Sequence, residues 1–254
     1  MTHEASPEAD PRAEGRISVV VPVWRENGML FDLLRAVSAW PEVREVIVAS
    51  AEETPEFRSA VEAAGALCIG AGRPNRGRQM NAGARRATGE WLLFHHADTE
   101  MTRAHVRTLA ALRDAVGGAF HRKFDARHPH CRWIEPIERW RNRHVGALFG
   151  DQSIFVRREH FQKLGGFADI PLMEDIEFSK RLRRSGPIAL LDPPVATSTR
   201  RHAIHGAWKT TLTNAALIFL YHLGVSPNRL HGWYYGIRPP AETPTPAITQ
   251  PNEN

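Results

Sequence analysis

The sequence predicts one α/β domain with a mostly parallel central sheet flanked by helices. From Ile17 onward, short β-branched apolar runs alternate with helical patterns, which is typical of βαβ units. The length of 254 residues is enough for one such domain with a substantial core. We expect this domain over residues 16–238, between an acidic leader at 1–15 and a Pro- and Thr-rich tail at 239–254, both disordered.

Four strands are expected in the first half of the chain, each a short run of apolar residues. They cover Ile17–Val23, Glu45–Ser50, Ala66–Gly70 and Glu90–His96. Helices are expected after Asn27 and after Thr54, which are suitable N-caps, and over residues 80–87. Asp98 follows the fourth strand, and open α/β sheets bind ligands at the carboxyl ends of their strands. We therefore expect a binding site around Asp98.

The second half is expected to continue the alternation of helices and strands. We predict a helix over 102–116, a strand over 117–126, an interrupted helical stretch over 131–145, a strand over Asp151–Arg158, a helix over 173–186, and short strands over 187–191 and 195–199. The late apolar segment Ala215–Val225 is too short to cross a bilayer, which takes roughly 20 apolar residues. It suits either a buried core helix or an interfacial helix in peripheral contact with a membrane.

The charge of the chain is unevenly distributed. The formal net charge is +5, but residues 16–238 alone carry 32 bases and 22 acids. Such a basic body suits an anionic partner, although scattered arginines that keep the protein soluble explain the charge equally well. No nucleic-acid-binding module is recognisable, so nucleic acid is not the expected partner. The two cysteines, Cys68 and Cys131, do not form a disulfide framework, and a reducing, cytoplasmic compartment is expected.

Asp98 is the first candidate for chemistry. A carboxylate at a strand end suits a hard divalent cation that neutralises phosphates, whereas the alternative is an Asp that caps the next helix. His95 and His96 precede it and alternate across the strand, so one of them can point toward the site with Asp98. A histidine in the core is the more frequent outcome for such a residue.

The loop "GRPNRGRQMNAG" is the second candidate. Arg73, Arg76 and Arg78 carry guanidinium forks that suit phosphate oxygens, and Asn81 with Gly83 opens a helix. No Gly-Lys-Ser/Thr follows, so the loop is not a Walker loop. A solvated basic loop is the alternative interpretation.

Two further groups have both a structural and a chemical interpretation. Glu174 and Asp175 stand at the start of a predicted helix, where they either cap it or supply a general base. Arg200 and Arg201 either grip a diphosphate or belong to a solvated turn.

Taken in order, these pieces resemble family 2 glycosyltransferases of the GT-A fold. The matching stretches are "VVVPVWREN", "EVIVAS", "NRGRQMNAGARRATGEWLLFHHADT", "GDQSIFVRREHFQKLGGF" and "PLMEDIEFSKRLRRSG". The forms "HADT" and "PLMED" are similar to those of a bacterial subgroup associated with radical-SAM/selenodomain proteins. The resemblance implies a GT-A domain with a Rossmann-like sheet over residues 16–238.

The resemblance also assigns roles to residues of this chain. Donor binding falls to Pro22, Glu26, Ser50, Arg76, Arg78, Asn81, Gly83, Ala97, Asp98, Arg200 and Arg201. The acceptor side falls to Asp151, Gln152, Gly165, Gly166 and Phe167. Asp98 is the expected metal ligand, and Asp175, with Glu174 beside it, is the expected catalytic pair, Asp175 being the base that deprotonates the acceptor hydroxyl.

Two positions depart from the family pattern. Ser50 stands where relatives have an Asp for the uracil or ribose, with Glu52 and Glu53 just beyond it. His96 stands where many relatives have the first carboxylate of the metal motif. The donor base is therefore open, and the metal depends partly on the donor phosphates for its ligands.

The expected reaction is transfer of a sugar from a nucleoside-diphosphate donor to an acceptor hydroxyl, with inversion and with Mg or Mn as cofactor. The acceptor is open, and a lipid-linked one at the inner face of the membrane suits the apolar late helix. Alternatives are a non-catalytic sugar-nucleotide-binding protein and a nucleotidyltransferase. The second needs a Gly-rich, Lys-bearing loop after strand one, where this chain has "PVWRENG".

Overall fold

The computed structural model describes residues 15–25, 28–124, 148–197 and 207–236. Several sequence predictions lie outside these ranges. They are the leader, the tail, the helical stretch at 131–145, the N-cap Asn27, and the site residues Glu26, Arg200 and Arg201.

The described strands form one eight-stranded sheet in the order β3-β2-β1-β4-β7-β6-β8-β5. They are β1 (Ile17–Val23), β2 (Val43–Ser50), β3 (Leu67–Gly70), β4 (Trp91–Phe94), β5 (Thr99–Glu100), β6 (Gly117–Phe124), β7 (Phe155–Arg157) and β8 (Ile188–Thr197). The pairs among β1 to β4 are parallel, β6 is parallel to β8, and β7 and β5 run antiparallel to their neighbours. The sheet is mostly parallel, which confirms the predicted fold class.

Helices flank the sheet between these strands. They are α1 (Leu30–Ser38), α2 (Pro55–Ala63), α3 (Arg76–Arg86), α4 (Arg103–Ala111), a 3-10 helix (Gly150–Gln152), α5 (Arg158–Lys163), α6 (Glu174–Ser185), α7 (Ala207–His222) and α8 (Pro227–Tyr235). Helix α2 begins where the sequence predicts, because Thr54 Oγ1 accepts a hydrogen bond from the Phe57 N–H. Every helix in the described ranges falls short of what a bilayer span requires.

Each face of the sheet carries its own hydrophobic cluster, as alternation along a strand requires. Val19 and Val21 of β1 pack with α1 and α4, whereas Val20 packs with α3, α5 and α6. Helix α3 approaches β1 closely at Gly83, where a Cβ would lie 2.3 Å from Cγ1 of Val20. Only glycine fits this approach, so α3 sits directly on the sheet.

The predicted strand Asp151–Arg158 is wrong at both ends. Gly150–Gln152 is a 3-10 helix, the strand covers only Phe155–Arg157, and Arg158 begins α5. The cause lies at Ser153, whose backbone is left-handed with φ 53°. Its hydroxyl forms a 2.8 Å hydrogen bond with the buried His95, which holds the turn in place.

Other predicted boundaries differ from the structure as well. The helix expected over 80–87 begins at Arg76, because Asn75 caps it and its Oδ1 accepts from the Arg78 N–H at 2.9 Å, and the strand expected over Glu90–His96 covers Trp91–Phe94.

The short strands expected at 187–191 and 195–199 are one strand, β8, with residues 192–194 bulging where its pairing with β6 shifts register. The helix predicted over 102–116 ends at Ala111. It ends there because the backbone at Leu112 is extended, with ψ 131°, and the guanidinium groups of Arg16 and Arg113 donate to the Ala110 carbonyl in the last turn.

Candidate functional site

The carboxyl ends of β1, β2 and β4 lie at one edge of the sheet because these strands are parallel. Gln79 of α3 joins two of them: its Nε2 donates to the carbonyls of Val23 at 2.7 Å and Ala49 at 2.9 Å. Gln79 is buried, so α3 is fixed against this edge. Pro22 lies at the same edge and is half-buried.

Ser50, which departs from the family pattern at the end of β2, forms a hydrogen bond within the turn that follows the strand. The buried Ser50 donates its hydroxyl to the Glu52 carbonyl at 2.6 Å. The Glu52 carboxylate in turn accepts from Trp24 Nε1 at 3.1 Å, and the Trp24 ring is half exposed beside the end of β1. An acidic group is therefore present at this edge, supplied two residues after the predicted position.

The two histidines at the end of β4 point to different places. His95 is fully buried, with ring nitrogens 2.8 Å from Ser153 Oγ and 3.0 Å from the Thr99 carbonyl oxygen. Burial lowers the pKa of His95 to about 3, so it stays neutral and structural. His96 faces the acidic groups of the site, which oppose the lowering of its pKa by burial and by Arg76.

Asp175 and His96 converge at Gly150. Asp175 Oδ2 accepts from the Gly150 N–H at 2.9 Å, and Oδ1 accepts from the Ile176 N–H at 2.8 Å. A Cβ on Gly150 would lie 2.9 Å from His96 Nε2 and 3.6 Å from Asp175 Oδ2. The absence of a side chain at Gly150 thus leaves open the space in which imidazole and carboxylate meet.

Glu174 lies beside Asp175 but is buried and paired. Its Oε1 is 2.8 Å from Nε of Arg76, at the first position of α3. Burial raises the pKa of Glu174, and Arg76 opposes the rise. Glu174 in turn raises the pKa of Arg76, whose side chain remains 43% exposed. Glu174 Oε2 is buried and has no hydrogen-bond partner within the described part of the chain.

Asp151 and Gln152 lie in the 3-10 helix between these groups and β6. Asp151 Oδ2 forms an ion pair with Arg122, and Oδ1 is buried and unpartnered among the described residues. Gln152 is buried and bonds the Phe120 carbonyl and the Phe149 N–H. Asp151 therefore offers an oxygen to the site, whereas Gln152 is committed to the backbone.

The predicted donor segment on α3 is tied to the predicted acceptor loop. The Arg78 fork binds both carboxylate oxygens of Asp169, at 2.5 and 2.6 Å. Asn81 donates to the Phe167 carbonyl at 2.8 Å and accepts from its N–H at 2.9 Å. A Cβ on Gly166 would lie 2.5 Å from Asn81 Oδ1, and both Gly165 and Gly166 have φ 74°. Phe167 itself is buried.

Asp98 is exposed at the end of the β4 loop, next to the half-buried Ala97. Across the ranges that the structure describes, no three His, Cys, Asp or Glu side chains converge as a closed metal site. A single exposed carboxylate fits a cation that takes its other ligands from water and from substrate phosphates, as Mg²⁺ does.

Sequence reasoning missed three residues of this region: Gln79, Arg122 and Asp169. Each acts through a contact with a residue far away in the chain, such as the pair of Arg78 and Asp169. Neither periodicity nor local spacing signals such a pair. The sequence contains one signal for Gln79, because a glutamine on the buried face of a helix needs a hydrogen-bond partner.

The model described as "Glycosyl transferase family 2" matches residues 18–163, more than half of the chain. No curated protein sequence matches.

Two solved structures resemble the fold at low identity. TarS 1–349 of S. aureus aligns with a TM-score of 0.58 and 16% identity over 72% of this chain and 60% of that one. Glucosyl-3-phosphoglycerate synthase from Mycobacterium tuberculosis, in complex with Mn²⁺, UDP and glucosyl-3-phosphoglycerate, aligns with a TM-score of 0.52 and 18% identity over 72% of this chain and 70% of that one. The chain thus spans 60% of the length of that TarS chain. With a GT-A fold and the family model matched over residues 18–163, the chain belongs to glycosyl transferase family 2.

Proposed function

We propose that the chain transfers a sugar from a nucleoside-diphosphate donor to an acceptor hydroxyl, with inversion at the anomeric carbon. The observation that carries the proposal is the Asp175 carboxylate, held open to the site beside His96 by the Gly150 N–H. The fold neighbours agree with this donor class, since TarS is known in complex with UDP-GlcNAc and the mycobacterial synthase with UDP.

Asp175 is the proposed base. Hydrogen bonds from Gly150 and Ile176 fix its orientation, and each carboxylate oxygen keeps lone-pair capacity for an acceptor hydroxyl. The hydroxyl attacks the anomeric carbon as Asp175 takes its proton, and the diphosphate leaves on the opposite face. Glu174 supports this step as a positioning residue, because its carboxylate is used to hold Arg76.

Arg76 is the proposed counter-charge for the leaving diphosphate. Its guanidinium stands at the N-terminus of α3, where backbone N–H groups also favour anions, and Glu174 keeps it in place. Arg78, Asn81 and Gly83 then act by holding α3 against the acceptor loop and the sheet. Arg200 and Arg201 stay predicted donor contacts.

Asp98 is the residue that would hold a divalent cation, Mg or Mn. The ion supplies Lewis-acid stabilisation of the diphosphate when bound. Pro22, Ala97 and the Ser50 to Glu52 turn line the same sheet edge, where the donor base and ribose would lie. Asp151, Gln152 and the loop Gly165–Phe167 form the acceptor side in this proposal.

The first experiment is a thermal-shift and turnover panel of UDP-, GDP- and dTDP-sugars with and without manganese. A ligand that binds the native state raises its melting temperature by mass action, so the donor is expected to be the sugar nucleotide that raises the melting temperature. The shift should depend on metal and be lost in Asp98→Ala. If no donor shifts the protein, the donor assignment is wrong.

Asp175→Asn tests the base. It keeps the size of the side chain and should lower turnover by about 100- to 10,000-fold, which is the usual contribution of a general base, while leaving the donor-induced thermal shift intact. Glu159→Gln, at an exposed position of α5, is the matched control and should keep wild-type turnover. Wild-type turnover in Asp175→Asn would rule out the base. If the wild type binds a donor but neither transfers its sugar nor hydrolyses it, the result would instead favour a sugar-nucleotide-binding protein.

A further inference from the structure

Helix α7 exposes apolar side chains along one side. Leu212, Phe219 and Leu223 are 64%, 63% and 65% exposed. With the exposed Ala216 they follow spacings of four, three and four residues, so they share one face of the helix. Soluble proteins rarely leave such a stripe uncovered, and a stripe of this kind marks an interaction surface.

The opposite side of α7 explains why the helix is nevertheless held in place. Leu217 is buried and packs with Leu230 of α8 against Leu172, Met173 and Ile176. The stripe is therefore presented outward by a helix anchored to the start of α6. Asp175 lies within that start, so the helix that carries the exposed face packs against the chain segment that holds the proposed base.

Helix α8 packs with α7 through Leu230 and also exposes an aromatic and a basic residue. Trp233 is 63% exposed, and the exposed Arg229 lies four residues before it, on the same face of α8. Tryptophan prefers the interface between headgroups and acyl chains, where its apolar ring and polar N–H are both accommodated. On α7, the exposed Lys209 lies three residues before Leu212 and so borders the stripe.

The charged residues of the two helices have a single sign. Residues 207–236 contain Lys209 and Arg229 and no Asp or Glu, in a chain that is 24% charged overall. A symmetric dimer would bring this basic patch against itself, which is electrostatically unfavourable. An anionic lipid surface is complementary to both the charge and the apolar stripe.

We infer that α7 and α8 form a docking face for an anionic lipid bilayer. At 16 residues, α7 is about 24 Å long, so it lies in the plane of the interface and does not cross it. The stripe Leu212, Ala216, Phe219 and Leu223 enters the headgroup and acyl boundary together with Trp233. Lys209 and Arg229 contact the anionic headgroups. The inference that this face binds a bilayer does not depend on the proposed reaction.

Co-sedimentation of the full chain with vesicles tests the inference. Vesicles of phosphatidylcholine mixed with phosphatidylglycerol should bind the chain, and vesicles of phosphatidylcholine alone should bind it far less. Phe219→Ser with Leu223→Ser should abolish binding. Lys209→Gln with Arg229→Gln should lower the partition coefficient about thirtyfold at low salt, given the usual contribution of each base near an anionic surface.

The matched control is Met29→Ser with Leu67→Ser, which removes two exposed apolar side chains elsewhere and should bind like the wild type. Thermal unfolding confirms that each variant folds. The inference is overturned if the wild type stays in the supernatant with phosphatidylglycerol vesicles, or if the control loses as much binding as the stripe variant. It is equally overturned if sedimentation velocity shows that the stripe joins two copies of the chain and no vesicle binds.

Discussion

The donor half of the molecule, β1 to β4 with α1 to α3, differs from the region 148–197 in how its polar groups are satisfied. In the donor half, the buried Gln79 gives both of its amide hydrogens to strand-end carbonyls. In the region 148–197, one oxygen each of Asp151 and Glu174 is buried without a partner in the described structure. Ser153 and Met173 there are non-glycine residues with φ 53° and 70°.

The donor half also has unpartnered buried atoms, Ser38 Oγ and Trp91 Nε1, and a left-handed non-glycine residue, Arg25 with φ 63°. The difference lies in the carboxylates, because Oε1 of Glu53 in the donor half is ion-paired with Arg58, whereas the two oxygens of Asp151 and Glu174 have no partner among the described residues.

The largest effect on stability is expected at His95, because its hydrogen bond with Ser153 joins the two regions. Its pKa is lowered from 6.5 to about 3, so its contribution to stability is present above pH 6.5 and is lost as the pH falls toward 3. We expect that loss to reach about 1.4 kcal/mol per pH unit in this range, the value for one proton.

Urea unfolding over a pH series measures this slope. His95→Gln should remove the histidine's share of it, although the variant is less stable at neutral pH. An unchanged slope in the variant would show that His95 does not set the acid sensitivity.

Gly83→Ala tests the packing of the donor half. The added Cβ would lie 2.3 Å from Val20 Cγ1, so α3 must move off β1, and we expect a loss of about 1–3 kcal/mol in the free energy of unfolding. Denaturant unfolding measures it. Arg85→Ala, at an exposed position of the same helix, should stay within about 0.5 kcal/mol of the wild type. Equal effects of the two substitutions would contradict the close approach.

Glu174→Gln tests the region 148–197 through the pH dependence of stability. Because burial raises the pKa of Glu174 above its ordinary value of 4.5, its contribution is fully present below pH 4.5 and is lost as the pH rises through the higher folded pKa. The glutamine does not titrate. The stability of the wild type relative to Glu174→Gln should therefore fall as the pH rises over that range, and a pH-independent difference would refute the raised pKa.

The sequence predicts most of the donor half because its signals are local, although α3 begins at Arg76, before the start expected at Met80. The bounds of β1 are as expected, and α2 begins at Pro55 after its cap Thr54. These features depend on hydrophobic alternation and capping within a few residues.

The region 148–197 depends on contacts that local patterns do not contain. The turn at Ser153 is held by His95, which is 58 residues earlier in the chain, and Arg76 meets Glu174 from a different helix. The sequence shows that these charged residues exist and places them at element ends. Which of them pair, and which oxygens remain free, is decided by packing.

The double hydrogen bond between Asn81 and the backbone of Phe167 has a consequence for engineering. Asn75 adds a second link, from the start of α3 to the Ile170 carbonyl. Helix α3 and the loop that follows α5 therefore move as one body. Exchanging that loop between relatives to change acceptor preference would also displace α3, the helix proposed to face the donor, so a transplant has to carry both segments together.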